Sequence, residues 1–282
     1  MEEKDNKGQN YIRFDWAIKR LLRNKADFGA VNGLLSCLFE KQIFIKNILE
    51  SEGNQEDEND KFNRVDVLVE DENGEKIIIE IQNNYQVDYY HRMLYGVSKV
   101  VCDYLKKGNR YDKIKKIYSI NIVYFDLGYG NDYVYFGTTE FRGKHTKDVL
   151  ELTPTQKIRY KREKVGDVFP DYCVLRVENF DEIAKTPLDE WIYYLKTTKI
   201  PDNFTAQGLD EIRTKQKIDD LPEDEKKAYY HHLDQVSYEE GVIEHQRSEA
   251  RMEGKAEGLA EGEQERLKLE KRIAELEKLL EK

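Results

Sequence analysis

Residues 75–84 read EKIIIEIQNN, a run of isoleucines suited to a buried β-strand that nevertheless carries Glu80 and Gln82 two positions apart. Successive side chains of a strand point to opposite faces, so Ile77, Ile79 and Ile81 share one face while Ile78, Glu80 and Gln82 share the other. A carboxylate and an amide on one side of an apolar strand need partners, a compensating ion or water. Two solutions stand open at this point: a built polar site, or a face near the sheet rim that is simply wet.

The stretch before it, NRVDVLVED, reads as a second strand, with Val65, Val67 and Val69 on one face and Arg64, Asp66 and Leu68 on the other. Between the two strands, Glu72-Asn73-Gly74 is a hairpin signal. A three-residue loop with Gly74 in the left-handed conformation makes paired residue numbers sum to 146, which sets Asp66 opposite Glu80 on the same face. A two-residue loop makes the sum 147 and separates them by parity. Carboxylates opposed across a hairpin stand roughly 5 Å apart at the backbone and repel each other. Mg²⁺ between them removes the conflict, since hard divalent cations take carboxylate oxygen and retain several waters. One such water can attack a phosphodiester. Gln82, one pleat beyond Glu80, is placed to hold that water or a phosphate oxygen.

The rest of the chain supplies a frame for this hairpin. DWAIKRLLRN predicts a helix starting at Asp15, and FGAVNGLLSCLFE (28–40) a second one with an apolar stripe. QIFIKNILES is a strand candidate, followed by the polar loop SEGNQEDEND. After the hairpin, residues 87–107 predict a long helix burying Met93, Leu94, Val97, Val100, Val101, Tyr104 and Leu105. KKIYSINIVYFDL, DYVYFGTTEF and DYCVLRVENF then read as strands and LDEWIYYLKTT as a helix. The order α-β-β-β-α-β is an α/β core with mixed strand pairing.

This order of elements, with Asp66, one hairpin, and Glu80-x-Gln82 at the end of an apolar strand, resembles the PD-(D/E)xK nuclease superfamily. More narrowly it is similar to the transposase-like, recombination-promoting nuclease branch, in which Gln commonly stands where other members have Lys. FDWAIKRLL is similar to that branch's opening helix, VDVLVEDENGEKIIIEIQ to its central hairpin, and HRMLYGVSKVVCDYLKKGNRYDKIKKIYSINIVYF to its following helix and strand. The resemblance covers roughly residues 11–180 and implies a restriction-endonuclease-like αβββαβ core, a mixed sheet flanked by helices. It implies a Mg²⁺-dependent DNA endonuclease, with Mn²⁺ as substitute, in which Asp66 and Glu80 hold the metal and Gln82 completes the catalytic set. Asp15, Lys19, Arg92 and Tyr95 match recurrent positions and are assigned supporting roles. Two departures stand out: Val65 replaces the proline before the aspartate, and Gln82 cannot offer the cation of a lysine. Arg64, Lys76 and Arg92 are the bases available to replace it. The alternative is a weakly active or inactive nuclease-fold protein that binds DNA or organises an assembly.

The net charge of −10 argues at first against a nucleic-acid partner, but its distribution reverses that. Residues 1–164 hold 28 Lys+Arg against 27 Asp+Glu, and residues 165–282 hold 18 against 29, so net +1 and net −11 sum to −10. Residues 92–116 contain eight basic residues against two acidic, and residues 142–164 eight against three. Local basic stretches decide attraction to phosphate, and the helix after residue 91 is expected to meet the DNA backbone; a solvated helix face is the plain alternative.

Other chemistries lack their signatures. The five histidines form no HExxH or Cys/His zinc spacing, and no P-loop or GxGxxG follows a strand. Cys37, Cys102 and Cys173 lie far apart in apolar surroundings and fit no disulfide framework. MEEKDNKGQN does not resemble a signal peptide, and no apolar segment approaches bilayer-spanning length. A cytoplasmic protein without membrane contact is expected.

From about residue 204 apolar content falls and strand signals vanish. We expect a nuclease domain over 11–180, a helical region over 181–240 and a charged helical tail over 241–282. Leu269, Ile273, Leu276 and Leu280 follow alternating steps of four, three and four, a heptad seam with charged flanks. The expected outcome is a short coiled coil that makes the protein a homo-oligomer, with a lone amphipathic helix packing back on the body as the alternative. Gly254, Gly258 and Gly262 recur upstream at every fourth position, each costing the helix about 1 kcal/mol relative to Ala.

Overall fold

The computed structural model describes residues 11–17, 28–49, 67–105, 110–215 and 217–280. Its centre is a six-stranded mixed sheet of order β1-β2-β3-β4-β6-β5, built from β1 (Ile45–Leu49), β2 (Val67–Asp71), β3 (Lys76–Gln82), β4 (Ile117–Val123), β5 (Val134–Gly137) and β6 (Asp171–Arg176). Strands β1, β2 and β3 form an antiparallel meander. β4 joins β3 in parallel after the crossover helix α2 (Tyr89–Tyr104), β6 joins β4 in parallel, and β5 closes the far edge antiparallel to β6. The mixed α/β architecture expected from the element order is the one observed.

The β2–β3 hairpin carries the bulged loop. Val67 pairs with Ile79, Leu68 with Ile78, Val69 with Ile77 and Glu70 with Lys76, and each pair sums to 146. Gly74 has φ +75°, and Asp71 holds the turn by accepting from the backbone N–H groups of Asn73 and Glu75 at 2.9 and 2.8 Å. A side chain at Gly74 would be strained in that backbone conformation, which is why the turn takes glycine there.

The two faces of the sheet bury different cores. One face packs Val67, Val69, Ile77, Ile79, Ile120, Ile122, Cys173 and Leu175 against α1 (Gly29–Phe39), α4 (Pro187–Thr197) and α5 (Leu209–Lys215). Burial there pushes the Cys173 thiol up to about 12, so this cysteine is an inert packing residue. The other face is covered by α2, through Val97 and Val100 on Leu68, Ile78 and Ile117, and through Tyr89 and Met93 on Val123, Phe125 and Val174. Leu94 and Tyr104 were expected on the buried side of α2, but they are 58% and 45% exposed. The covered stripe is narrower than the apolar periodicity suggests, because the sheet face meets the helix along Tyr89, Met93, Val97 and Val100.

Helix α4 is started by its sequence. Thr186, Pro187 and Asp189 make a capping box, with the Thr186 hydroxyl accepting from the Asp189 N–H at 3.2 Å. The Asp189 carboxylate accepts from the N–H groups of Lys185 and Thr186 and from the Tyr133 hydroxyl at 2.7 Å. Burial alone raises its pKa, and these three donors outweigh burial and hold it below the usual carboxylate value. Trp191 and Tyr194 of α4 are fully buried and pin the N-terminal segment: Phe14 packs edge-on against both rings, and the Tyr194 hydroxyl donates to the Ile12 carbonyl at 2.5 Å. This anchoring fixes residues 11–17, helical from Phe14, at the sheet.

The chain separates into two compact units, residues 1–226 and 227–282. Almost all of the second lies on α6 (Glu223–Leu280), a 58-residue helix. Its Leu269, Ile273 and Leu276 are 59%, 54% and 46% exposed, and the side chain of Leu280 lies outside the described residues. The helix runs unbroken through Gly254, Gly258 and Gly262, and a Cβ at any of them would meet nothing within 4 Å.

Gly33 of α1 allows a close approach of backbone to backbone, since a Cβ there would lie 2.0 Å from the backbone oxygen of Gln207. Gly33→Ala therefore has to push the 206–208 loop off the helix. The expected loss is about 1–3 kcal/mol, the usual cost of overpacking, seen as a melting temperature several degrees lower; an unchanged melting temperature would contradict the packing described.

Candidate active site

Glu80 is 6% exposed, so the face it occupies is not a wet rim. Along β3 it pairs in parallel register with Asn121 of β4, which is completely buried. The Asn121 amide donates to the Ser119 carbonyl and hydroxyl at 3.0 Å and to the Cys173 carbonyl at 3.2 Å, and its oxygen accepts from the Tyr89 hydroxyl at 3.2 Å. Ser119, Asn121, Tyr89, Arg92 and Glu80 line a small cavity of about 10 Å³ between sheet and helix, at the lower limit for one water.

Arg92, on the first turn of α2, reaches across to the strand. One guanidinium nitrogen lies 3.1 Å from the Glu80 carboxylate, and the other donates to the side-chain oxygens of Gln82 and Gln86 at 3.3 Å. One cation thus holds both members of the Glu-x-Gln pattern, and it compensates the buried carboxylate. Lys76 is committed elsewhere, to Glu70 and over the Tyr104 ring at 4.7 Å. Its ammonium, helped by the Asn47 amide, outweighs the opposing effect of burial and holds the Glu70 carboxyl below its ordinary value.

Asp15 arrives from the N-terminal segment. It is 6% exposed and accepts from the Asn83 side chain at 3.4 Å, next in sequence to Gln82. Arg13 donates to the Asn83 oxygen at 3.1 Å, lies 3.5 Å from the Asp15 carboxylate, and stacks over Tyr124 at 5.2 Å. Asp15, Arg13 and Asn83 therefore form a second polar cluster at the exit of β3. Tyr95, one turn beyond Arg92 on α2, is 40% exposed. Asp66, Arg64 and Lys19 lie outside the described residues. The observed β2–β3 register ends at Val67 opposite Ile79, one step short of the pair that the sequence sets at 66 and 80.

Asn83, Arg13, Gln86 and Asn121 were not singled out from the sequence. Asn121 carried a legible signal, a polar residue inside the apolar run IYSINIV, the same anomaly that exposed Glu80. Arg13 and Gln86 carried none, because what brings them in is the anchoring of a terminal segment and the start of a helix.

The family model for PD-(D/E)XK nuclease family transposases matches residues 12–160. The chain belongs to this family. No curated protein matches it, and neither does any solved structure. The matched span of this transposase-family chain runs from the anchored N-terminal segment through the hairpin, α2 and β4 to α3 (Pro154–Tyr160), and so contains every residue of both polar clusters. Among the described residues no three His, Cys, Asp or Glu side chains converge as a metal-binding group, and no helix is long and apolar enough to cross a membrane.

Among the described residues, several cations of the basic stretches of this family member are spent on internal partners. Arg162 lies 2.6 Å from Glu75, Lys157 3.1 Å from Glu163, Arg142 2.5 Å from Glu140, and the buried Lys116 2.8 Å from Asp171.

Removing Arg92 leaves the Glu80 charge buried with fewer donors. With Arg92 about a quarter exposed, Arg92→Met should lower stability by about 1–3 kcal/mol. Adding Glu80→Gln should recover part of that loss, so a double-mutant cycle by chemical denaturation yields a coupling energy clearly different from zero. Strictly additive effects would show that the two groups do not compensate each other.

Proposed function

We propose that the chain is a metal-dependent DNA endonuclease whose centre is Glu80 with Gln82 and Asp66. The observation that carries this is a buried carboxylate and an amide on one face at the end of an apolar strand, both touched by one guanidinium. Such an arrangement costs stability and is retained where chemistry needs it. Its place within a nuclease-family span, and a hairpin register whose next step sets position 66 against position 80, support the same assignment.

The donor set would suit a hard divalent cation: Glu80 and Asp66 would each supply a carboxylate oxygen, with water completing the shell. Mg²⁺ is the assigned ion, with Mn²⁺ as substitute. When bound, the ion supplies Lewis acidity at the phosphodiester. Gln82 orients the attacking water through its amide, whose oxygen Arg92 fixes at 3.3 Å. Arg92 also brings to the site the positive charge that Gln82 cannot offer, and charge fixed where negative charge develops is often a large catalytic term. Asp15 and Arg13 act one step away by holding Asn83, and through it the end of β3.

Glu80→Gln keeps size and hydrogen bonding but removes the charge that holds the ion. Nicking of supercoiled plasmid in Mg²⁺ should fall by about a hundredfold or more, as it should for the wild type in EDTA, while DNA binding by gel shift persists. Wild-type cleavage by a folded Glu80→Gln variant would overturn the mechanism. A wild type that binds DNA without cutting it in either Mg²⁺ or Mn²⁺ would point to the non-cutting assembly protein instead.

We further propose that residues 259–282 self-associate. Leu269, Ile273 and Leu276 recur at heptad spacing and are half-exposed, whereas such a seam is stable in water when a second helix buries it. Deleting residues 259–282 should lower the mass measured by light scattering to that of one chain; a monomeric mass for the 282-residue chain would dismiss the idea.

A further inference from the structure

At the end of the sheet opposite Gln82, where β4 begins, a groove of about 870 Å³ separates residues 110–117 from residues 159–170. Two of its cations serve the fold. Lys116 is 3% exposed at its side chain and reaches Asp171 and the Phe169 carbonyl, and Arg162 is held by Glu75. The other three are not neutralised one for one. Arg110 and Arg159 approach the same oxygen of Asp112 at 3.1 and 3.4 Å, so two guanidiniums, 66% and 55% exposed, share a single carboxylate. Lys115 donates to the Asn73 carbonyl at 3.2 Å, a contact that cancels no charge. Asp167, the remaining acid of the lining, accepts from the Lys164 N–H at 2.9 Å and keeps its charge, so these three cations face two carboxylates. Between these cations the short 3₁₀ turn Tyr111–Lys113 presents the Tyr111 ring, 82% exposed.

Exposed cations beside an exposed aromatic ring are the equipment for a single nucleic-acid strand: charge tracks the phosphates while the ring stacks on a base, and a base inside duplex has no free face to offer. The groove is also within reach of the centre proposed above. The register sets Lys76 beside Ile117 and Glu80 beside Asn121, and four strand residues span about 13 Å. We propose that this groove binds an unpaired DNA strand flanking the reacting phosphate, with phosphate oxygens on Arg110, Arg159 and Lys115 and one base stacked on Tyr111. The proposal rests on DNA being the substrate, not on the site being competent to cut.

The test uses the full chain in EDTA, where binding is read without cleavage, and fluorescence anisotropy with a labelled single strand of about 12 nucleotides and its duplex. Arg110→Gln with Arg159→Gln should weaken single-strand binding and reduce the slope of log affinity against log salt by about 1.4, for two phosphate contacts at about 0.7 each. Tyr111→Ala should weaken it about tenfold with the slope unchanged, and Tyr111→Phe should restore it, because stacking needs the ring and not the hydroxyl. Melting temperatures within a degree of wild type show that the exposed substitutions leave the fold intact. Unchanged single-strand affinity and slope in the variants would overturn the groove, as would a wild type that binds duplex alone. A wild type that fails to cut in Mg²⁺ while the variants still lose single-strand binding would remove the endonuclease assignment and leave the groove standing.

Discussion

A carboxylate taken out of water at the end of an apolar strand has to be compensated, and around Glu80 the compensation organises much of the molecule. Its partner Arg92 comes from the first turn of α2, so the pair ties the crossover helix to β3. The same guanidinium reaches Gln82 and Gln86, which fixes the chain between strand and helix. Beneath it, Asn121 spends its amide on neighbouring backbone and takes a hydrogen bond from Tyr89, so the buried polar layer is satisfied and not only tolerated. Replacing this layer by apolar side chains would serve stability as well or better. Its presence is the physical argument for function.

The second polar cluster depends on packing far from it. Asp15 and Arg13 reach Asn83 because Trp191 and Tyr194 hold residues 12–14 in place. Helix α4 lies outside the span matched by the family model, yet it positions residues inside that span. The capping box that starts α4 is in this sense part of the support for the site.

Charge along the sequence was an uneven guide. The excess of lysine and arginine between 92 and 116 and between 142 and 164 suggested a phosphate-binding surface, but many of these side chains close ion pairs within the fold. A cation matters to a polyanion in proportion to what remains unneutralised around it. By that measure Arg110, Arg159 and Lys115 count for more than the stretch as a whole.

The sequence by itself marked the strands and their succession along the chain, and offered two hairpin registers, of which the structure has the one that sums to 146. Alternation of apolar residues and an Asn-Gly turn are local properties, and each pair of β2 and β3 sums to the number that the loop length dictates. It also marked Glu80 and Gln82, since a polar residue in an apolar strand violates a local rule. Tertiary structure alone decided which cation serves them. Arg64, Lys76 and Arg92 were equivalent candidates in the sequence, and Arg92 is the one at Glu80 among the described residues because α2 crosses back over that face, while Lys76 pairs with Glu70 across the hairpin. The exposure of Leu94 and Tyr104 and the arrival of Arg13 beside Asn83 are likewise beyond local pattern. They depend on which surfaces of distant segments meet, and periodicity records only that a surface is apolar, not how much of it a neighbour will cover.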